Sequence, residues 1–372
     1  MTLTLFMVAA GLALLVAGAE LLVRGASALA RAVGMPSLIV GLTVVAFGTS
    51  APELAVSLKA SLAGQPDIAL GNVVGSNVFN VLFILGISAA IVPLATSSQL
   101  VRLDVPVMIG VSGLAWLMAS NGVIGRAEGV VLLAGIVGYT AMLVLLGKRQ
   151  GNAIARAKPK APGRRAASWR RAASWRRLVV PALLVLAGLV LLVLGADWLV
   201  QGAVELARAL GVSELLIGLT IVAAGTSLPE LATSVVASIR GERDIAVGNI
   251  VGSNIFNILA VLGAAAVAAP HGVAVSPIAL RFDVPIMLVV ALVCMPVFFT
   301  GGRISRWEGL LLLGYYAAYV AYLVLGASSH ESLGAFSEAM VFFVLPGTVL
   351  GIAVSLFWAV RARRKGRALP KH

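Results

Sequence analysis

Residues 41–86 and 218–263 carry the same sequence twice. Aligned without a gap at an offset of 177, the two stretches share 30 identities in 46 positions. An internal repeat of this length means that the fold is built from two related units. The similarity extends beyond the core stretch: GAELLVRGA at 18–26 faces GADWLVQGA at 195–203, and RLDVP at 102–106 faces RFDVP at 281–285.

The medium follows from composition. Hydrophobic residues make up 60% of the chain and charged residues 12%, with 40 glycines; mean hydropathy is +1.03. Such a chain is a polytopic membrane protein. Spanning-length apolar runs fall at about 3–31, 36–62, 68–91, 103–120 and 127–147, then at 178–210, 213–239, 245–268, 280–300, 305–326 and 336–360. The single Cys294 excludes an intramolecular disulfide framework. The apolar N-terminus has no basic stretch before it and reads as a first span rather than a cleaved leader.

Five spans per unit is an odd number. Two homologous five-span units in one chain must cross the membrane in opposite directions, so the expected fold is all-α, with two inverted repeats of ten core helices and one added C-terminal helix. The units are 1–147 and 178–326, joined by a basic linker at 148–177 and followed by a span at 336–360 and a basic tail at 361–372. A cytoplasmic linker puts 24 of the 28 Lys and Arg on the inside, leaving Lys59, Arg126, Arg208 and Arg281 outside. The positive-inside rule therefore places the N-terminus outside and the C-terminus in the cytoplasm. The net charge of +13 is concentrated in this way, so it argues for topology and contact with anionic headgroups, through the duplicated RRAASW unit in the linker, and not for nucleic-acid binding.

Each repeat holds one carboxylate in an apolar span, Glu53 in GTSAPE and Glu230 in GTSLPE. A charge near the bilayer centre costs about 2.5–3.5 kcal/mol on insertion scales, so its appearance at the same place in both units points to function. Pro52 and Pro229 have no N–H to donate, and with Gly48 and Gly225 they should break the helix mid-membrane and free backbone carbonyls. Thr49 lies four residues before Glu53, and Thr226 four before Glu230, on one helical face. GNVVGSNVFN and GNIVGSNIFN add Ser76 and Asn80, Ser253 and Asn257, again four apart. Two carboxylates, two amides and several hydroxyls, with no His or Cys, suit hard cations such as Ca²⁺ and Na⁺ rather than zinc or copper.

Other polar residues have plainer expected roles. Asp67 and Asp244 are placed to cap the helices that follow them. Asn72 and Asn249 read as structural hydrogen-bonders at helix ends, Glu20 as a partner of Arg24, and Asp104 and Asp283 as anchors at span ends.

GTSxPE followed by GNxxGSNxFN, each present twice, resembles the repeats of the cation/calcium exchanger superfamily, most closely its bacterial sodium/calcium exchangers, over about residues 1–326. The resemblance implies a secondary-active antiporter that exchanges three Na⁺ for one Ca²⁺ by alternating access, and the compact chain with its short basic linker points to a bacterial inner membrane. The resemblance also implies an ion site formed by the carbonyl of Ala46 with Thr49, Ser50, Glu53, Ser76 and Asn80, and by the carbonyl of Ala223 with Thr226, Ser227, Glu230, Ser253 and Asn257. Ca²⁺ and Na⁺ are substrates, and no cofactor is expected. Some relatives have Asp at the position of Asn257; here the site charge is −2 with both glutamates ionised, which one Ca²⁺ neutralises and three Na⁺ overshoot by +1, whereas two Na⁺ per Ca²⁺ would be electroneutral. The absent acid also weakens any case for potassium co-transport. A Ca²⁺/H⁺ antiporter is the main alternative. An intramembrane hydrolase using Ser50 or Ser227 lacks a base, since His271, His330 and His372 lie in loops or at the terminus. A passive channel is a further alternative, disfavoured by the inverted repeats.

Overall fold

A computed structural model describes residues 2–157, 169–212, 214–299, 302–328, 332–340 and 346. Eight of its helices are long and apolar enough to cross a membrane, and one bent pair makes a ninth span among the described residues. In chain order they are α1 (Thr2–Val33), the pair α2 (Ser37–Thr49) and α3 (Ala51–Leu62), α4 (Asp67–Ile91), α5 (Leu100–Ala119), α6 (Arg126–Asn152) and α7 (Arg176–Ala209). After helical segment α8 (residues 214–225) and the 12-residue α9 (Leu228–Ile239) come α10 (Arg243–Ala268), α11 (Ala279–Phe299) and α12 (Arg306–Gly326). The segment α8–α9 occupies the place in the second unit that the bent pair α2–α3 occupies in the first. Of the expected eleventh span at 336–360, only residues 336–340 and 346 are described, within and after the helix Leu333–Ala339. Most of the duplicated RRAASW linker also lies outside what is described in side-chain detail.

Two short antiparallel ribbons establish that the units are inverted. β1 (Leu94–Ala95), after α4, pairs with β4 (Arg303–Ile304), before α12, while β2 (Val123–Ile124), before α6, pairs with β3 (Val273–Ala274), after α10. Each ribbon joins the loop after the third span of one unit to the loop after the fourth span of the other. Those loops share a side of the membrane only if the units run in opposite directions.

The same inversion is written into α1 and α7, which pack antiparallel through glycines. A methyl group on Gly11 would lie 2.9 Å from Gly195 O, on Gly18 2.8 Å from Gly188 O, and on Gly25 2.8 Å from Pro181 O. Seven residues forward in α1 match seven back in α7, so the small-residue stripes face one another along the contact. Gly86 against Gly309 and Gly129 against Gly263 make the equivalent close approaches of α4 with α12 and of α10 with α6.

The centre of the molecule is α4 and α10, whose apolar windows are 72% and 89% buried, against 39% or less for the other single-helix spans. Both carry the GSN motifs. Among the described residues of the two units, six π-helical stretches interrupt the helices, three per unit at matching places: 41–45 and 218–222, 79–85 and 257–262, 100–104 and 279–283. Such wide turns redirect side chains and commonly mark functional sites. Nothing in residue composition announced them.

Two smaller expectations are corrected. Asp67 and Asp244 are not caps; they sit in the first turn, after Gln65 and Glu242, where a negative charge favours the helix dipole. Asp104 is more than an anchor at a surface: it is fully buried, accepting from Tyr139 Oη at 3.0 Å and Gln99 Nε2 at 3.3 Å.

A candidate ion site at the crossing of the repeats

The chain breaks where GTSAPE predicts. Helices α2 and α3 meet at 44°, with Ser50 out of helical geometry at φ −84°, ψ 9°, and Pro52 in the first turn of α3. Ser227 repeats this at φ −91°, ψ 9°, ahead of Pro229. The proline ring starts a new helix without needing a donor, and Glu53 or Glu230 follows directly.

Across the centre, each glutamate is held by the opposite unit. Ser50 Oγ donates to Glu230 Oε1 at 2.9 Å, and Ser227 Oγ donates to Glu53 Oε1 at 2.8 Å. Ser76 Oγ lies 3.1 Å from Ser227 Oγ, and Ser253 Oγ 3.5 Å from Glu230 Oε1. Both glutamates, both of these serines and Ser76, Ser253, Asn80 and Asn257 are 0–1% exposed. The structure thus brings together the carboxylates, hydroxyls and amides that the motifs carry.

What those groups leave unsatisfied is informative. Glu53 Oε2, Glu230 Oε2, Asn80 Oδ1 and Asn257 Oδ1 are buried oxygens with no hydrogen-bond partner. A buried polar atom without a partner is costly, and these four fall at matching positions of the two repeats and are acceptors of the kind a hard cation takes.

Asn72 and Asn249 do more than cap helices. Asn249 accepts from Thr49 Oγ1 at 3.0 Å while its Nδ2 reaches Ser234 Oγ at 3.0 Å and the Glu230 carbonyl at 3.4 Å. Asn72 likewise accepts from Thr226 at 3.2 Å and donates to Ser57 Oγ and the Glu53 carbonyl. Each ties the glutamate helix of its own unit to the threonine of the other. Thr49 and Thr226 are therefore engaged with these amides, and Thr49 also lies 3.4 Å from the Ala46 carbonyl. That carbonyl accepts the Ser50 N–H at 3.1 Å, whereas Ser227 N–H turns to Ala224, leaving Ala223 out of the equivalent bond.

The two units are alike in sequence and unlike in packing. A methyl group on Gly252 would lie 2.8 Å from Leu42 Cα and from Ala46 Cβ, and one on Gly248 would lie 2.9 Å from the Leu38 carbonyl. At the equivalent Gly75 and Gly71 nothing approaches within 4 Å. Helix α2 is thus clamped on α10, while α8 stands away from α4. Val45 is 0% exposed and its counterpart Val222 50%. The packing is thus tight at α2 and loose at α8, while both glutamates, Ser50, Ser76, Ser227 and Ser253 stay at most 1% exposed.

An apolar groove of about 1190 Å³ between α2, α6, α7 and α10 passes behind the first break, with Gly48 and Ala51 in its wall. It is separate in chemistry from the polar crossing.

Inverted repeats with broken helices meeting at a buried, oxygen-only centre define a secondary transporter. Comparison with known proteins makes this specific. The model of the family described as "Sodium/calcium exchanger protein" matches residues 3–145 and 180–325, so this chain belongs to that family, which is one of exchangers and not of enzymes. The inner membrane protein YrbG of Escherichia coli (strain K12) is 37% identical over 329 residues, covering 87% of this chain and 97% of YrbG. The sodium/calcium exchanger MaX1 of Methanosarcina acetivorans is 31% identical over 353 residues, covering 87% of this chain and 99% of MaX1. The solved structure of the sodium/calcium exchanger from Methanococcus jannaschii matches with a TM-score of 0.72 at 29% identity, over 86% of this chain and 98% of that one.

Proposed function

We propose that this protein exchanges Na⁺ for Ca²⁺ across the membrane by alternating access, with the two ions competing for one site built on Glu53 and Glu230. The observation that carries this reading is the set of four unpartnered buried oxygens at the crossing of the repeats. Around them, Thr49, Ser50, Ser76, Thr226, Ser227 and Ser253 supply hydroxyls, and the carbonyls of Ala46 and Ala223 lie at the freed ends of the broken helices. Na⁺ and Ca²⁺ both accept such ligands, so occupancy by one excludes the other, and exclusion is the coupling.

The clamped α2 and detached α8 correspond to a buried site whose packing is loosened on one side only. Exchange of those roles between the units loosens the other. Bound cations offset the two buried carboxylates and permit closure; the empty, charged site resists it. With the N-terminus outside and the linker and C-terminus cytoplasmic, the loosened side faces outward. The name of YrbG favours the bacterial inner membrane, and the basic linker rests on anionic headgroups there.

The test is ⁴⁵Ca²⁺ uptake into proteoliposomes loaded with Na⁺, with external Na⁺ or choline at fixed pH. Uptake that requires the outward Na⁺ gradient supports the proposal, and an imposed K⁺/valinomycin potential then reports whether three Na⁺ move per Ca²⁺. Uptake that ignores Na⁺ and follows a pH gradient assigns the same glutamates to proton exchange.

A further inference from the structure

Two of the four unpartnered oxygens belong to carboxamides, and a carboxamide can present either of its ends. Only the oxygen serves a cation; the NH₂ group would repel it. Something must therefore decide which end of Asn80 and Asn257 faces the site.

Behind each lies a second amide and then a thioether. Asn80 Nδ2 donates to Asn254 Oδ1 at 3.1 Å, and Asn254 Nδ2 points to Met108 Sδ at 3.5 Å. In the mirrored chain Asn257 Nδ2 donates to Asn77 Oδ1 at 3.2 Å, and Asn77 Nδ2 lies 3.4 Å from Met287 Sδ and 3.4 Å from the Asn254 carbonyl. All six side chains are at most 3% exposed, so water does not compete for these bonds. Each chain alternates between units: Met108 and Asn80 come from the first and Asn254 from the second, while Met287 and Asn257 come from the second and Asn77 from the first.

A thioether sulfur accepts weakly and has no proton to give. Facing it, Asn254 must turn its NH₂ group outward and so present its oxygen to Asn80. Asn80 then answers with NH₂ and leaves its own oxygen toward the site. Reversal would set an amide oxygen against sulfur lone pairs. We propose that Met108 with Asn254, and Met287 with Asn77, are positioning residues that fix the polarity of the Asn80 and Asn257 amides and thereby make the site an all-acceptor cation site. This rests on the reading of Glu53 and Glu230 as the cation site.

The test is Ca²⁺ binding to the purified full-length protein in detergent, by calorimetry, with the melting temperature in ion-free buffer as a control for folding. Met108→Leu combined with Met287→Leu keeps the side-chain volume and removes both sulfur acceptors, leaving Asn77 Nδ2 only the Asn254 carbonyl. If the Asn254–Asn80 chain then divides evenly between its two orientations, the competent fraction falls to about one half and the apparent Kd rises about twofold, and up to about fourfold if the Asn77–Asn257 chain divides as well. The same Met pair is then changed in an Asn80→Asp/Asn257→Asp background, where a carboxylate has no wrong end. There the Met substitutions should cost nothing. Wild-type affinity in the double Met variant overturns the proposal, and so does an equal loss in both backgrounds, which would mark simple packing. Should the double variant melt early, the single variants are read by the same comparison, Met108→Leu against about a twofold loss and Met287→Leu against at most that. Undiminished Ca²⁺ binding in Glu53→Gln would instead remove the site reading itself, an outcome separate from any result at the methionines.

Discussion

The Ser50 hydroxyl of the first unit donates to Glu230 of the second at 2.9 Å, and Ser227 returns the same bond to Glu53 at 2.8 Å. Neither glutamate is anchored by its own broken helix alone. The two buried carboxylates are each bonded to the serine that sits at the opposite break, so the two breaks are linked through both acids.

Glu53→Gln and Glu230→Gln should each reduce Na⁺-dependent Ca²⁺ uptake by at least about 100-fold, because each removes a charge that a divalent ion needs in a dehydrated site. Ser50→Ala and Ser227→Ala remove one hydrogen bond to a charged group, worth about 1.5–3 kcal/mol, and should weaken Ca²⁺ binding by about 10- to 100-fold. Initial-rate ⁴⁵Ca²⁺ flux and equilibrium binding check both; full exchange in either glutamine variant is incompatible with the proposed site.

Gly75 and Gly252 are equivalent in sequence and opposite in surroundings. Gly252→Ala would drive a methyl group into Leu42 and Ala46, so α2 must move off α10 and the described state should be lost, visible as impaired binding and flux together. Gly75→Ala has open space in this state. It should bind Ca²⁺ nearly as wild type and yet turn over at least about tenfold more slowly, since α8 could no longer close on α4. Equal behaviour of the two variants would contradict an alternating clamp.

Helices α1 and α7 meet through backbone at Gly18 and Gly188. Gly18→Leu or Gly188→Leu overpacks that contact and should lower stability by about 1–3 kcal/mol or more, read as an earlier melting transition in detergent. Gly138→Ala is the control, because nothing lies within 4 Å of Gly138; an equal loss there would show that glycine content matters and the stripe does not.

Glu20 pairs with Arg24, as its spacing predicts, and also with Arg240 in the turn before α10, while Ser27 bonds to Glu242 in the same turn. The equivalent Asp197 accepts only from Gln201 of its own helix among the bonds described. This ties α1 to the core at one end. If α1 slides during the cycle, Arg240→Gln should speed exchange by up to about fivefold, the range of a partly exposed ion pair of 0.2–1 kcal/mol. Stopped-flow flux measures it, and an unchanged rate means that the contact survives the cycle.

Much of this protein is determined by residues that are neighbours in the chain. Pro52 and Pro229, each following a Gly-Thr-Ser run, favour a helix break there, although Pro181 and Pro296 lie within unbroken helices, and four-residue spacing puts Thr49 above Glu53 and Ser76 above Asn80 whatever surrounds them. Duplication of an odd number of spans requires inversion, and the β1–β4 and β2–β3 ribbons are its consequence. Contacts between units are another matter. That Ser50 serves Glu230, that Asn249 serves Thr49, and that Asn77 and Asn254 stand behind the amides of the opposite unit depend on how two inverted units interlock. The sequence contains Asn77 and Asn254 in plain view, three residues before Asn80 and Asn257, but helical spacing reports only a shared face and not what stands opposite. Least legible is the asymmetry of Gly75 and Gly252. Two near-identical segments have near-equal intrinsic preferences, so only the packing of the whole molecule decides which of them is clamped and which is free.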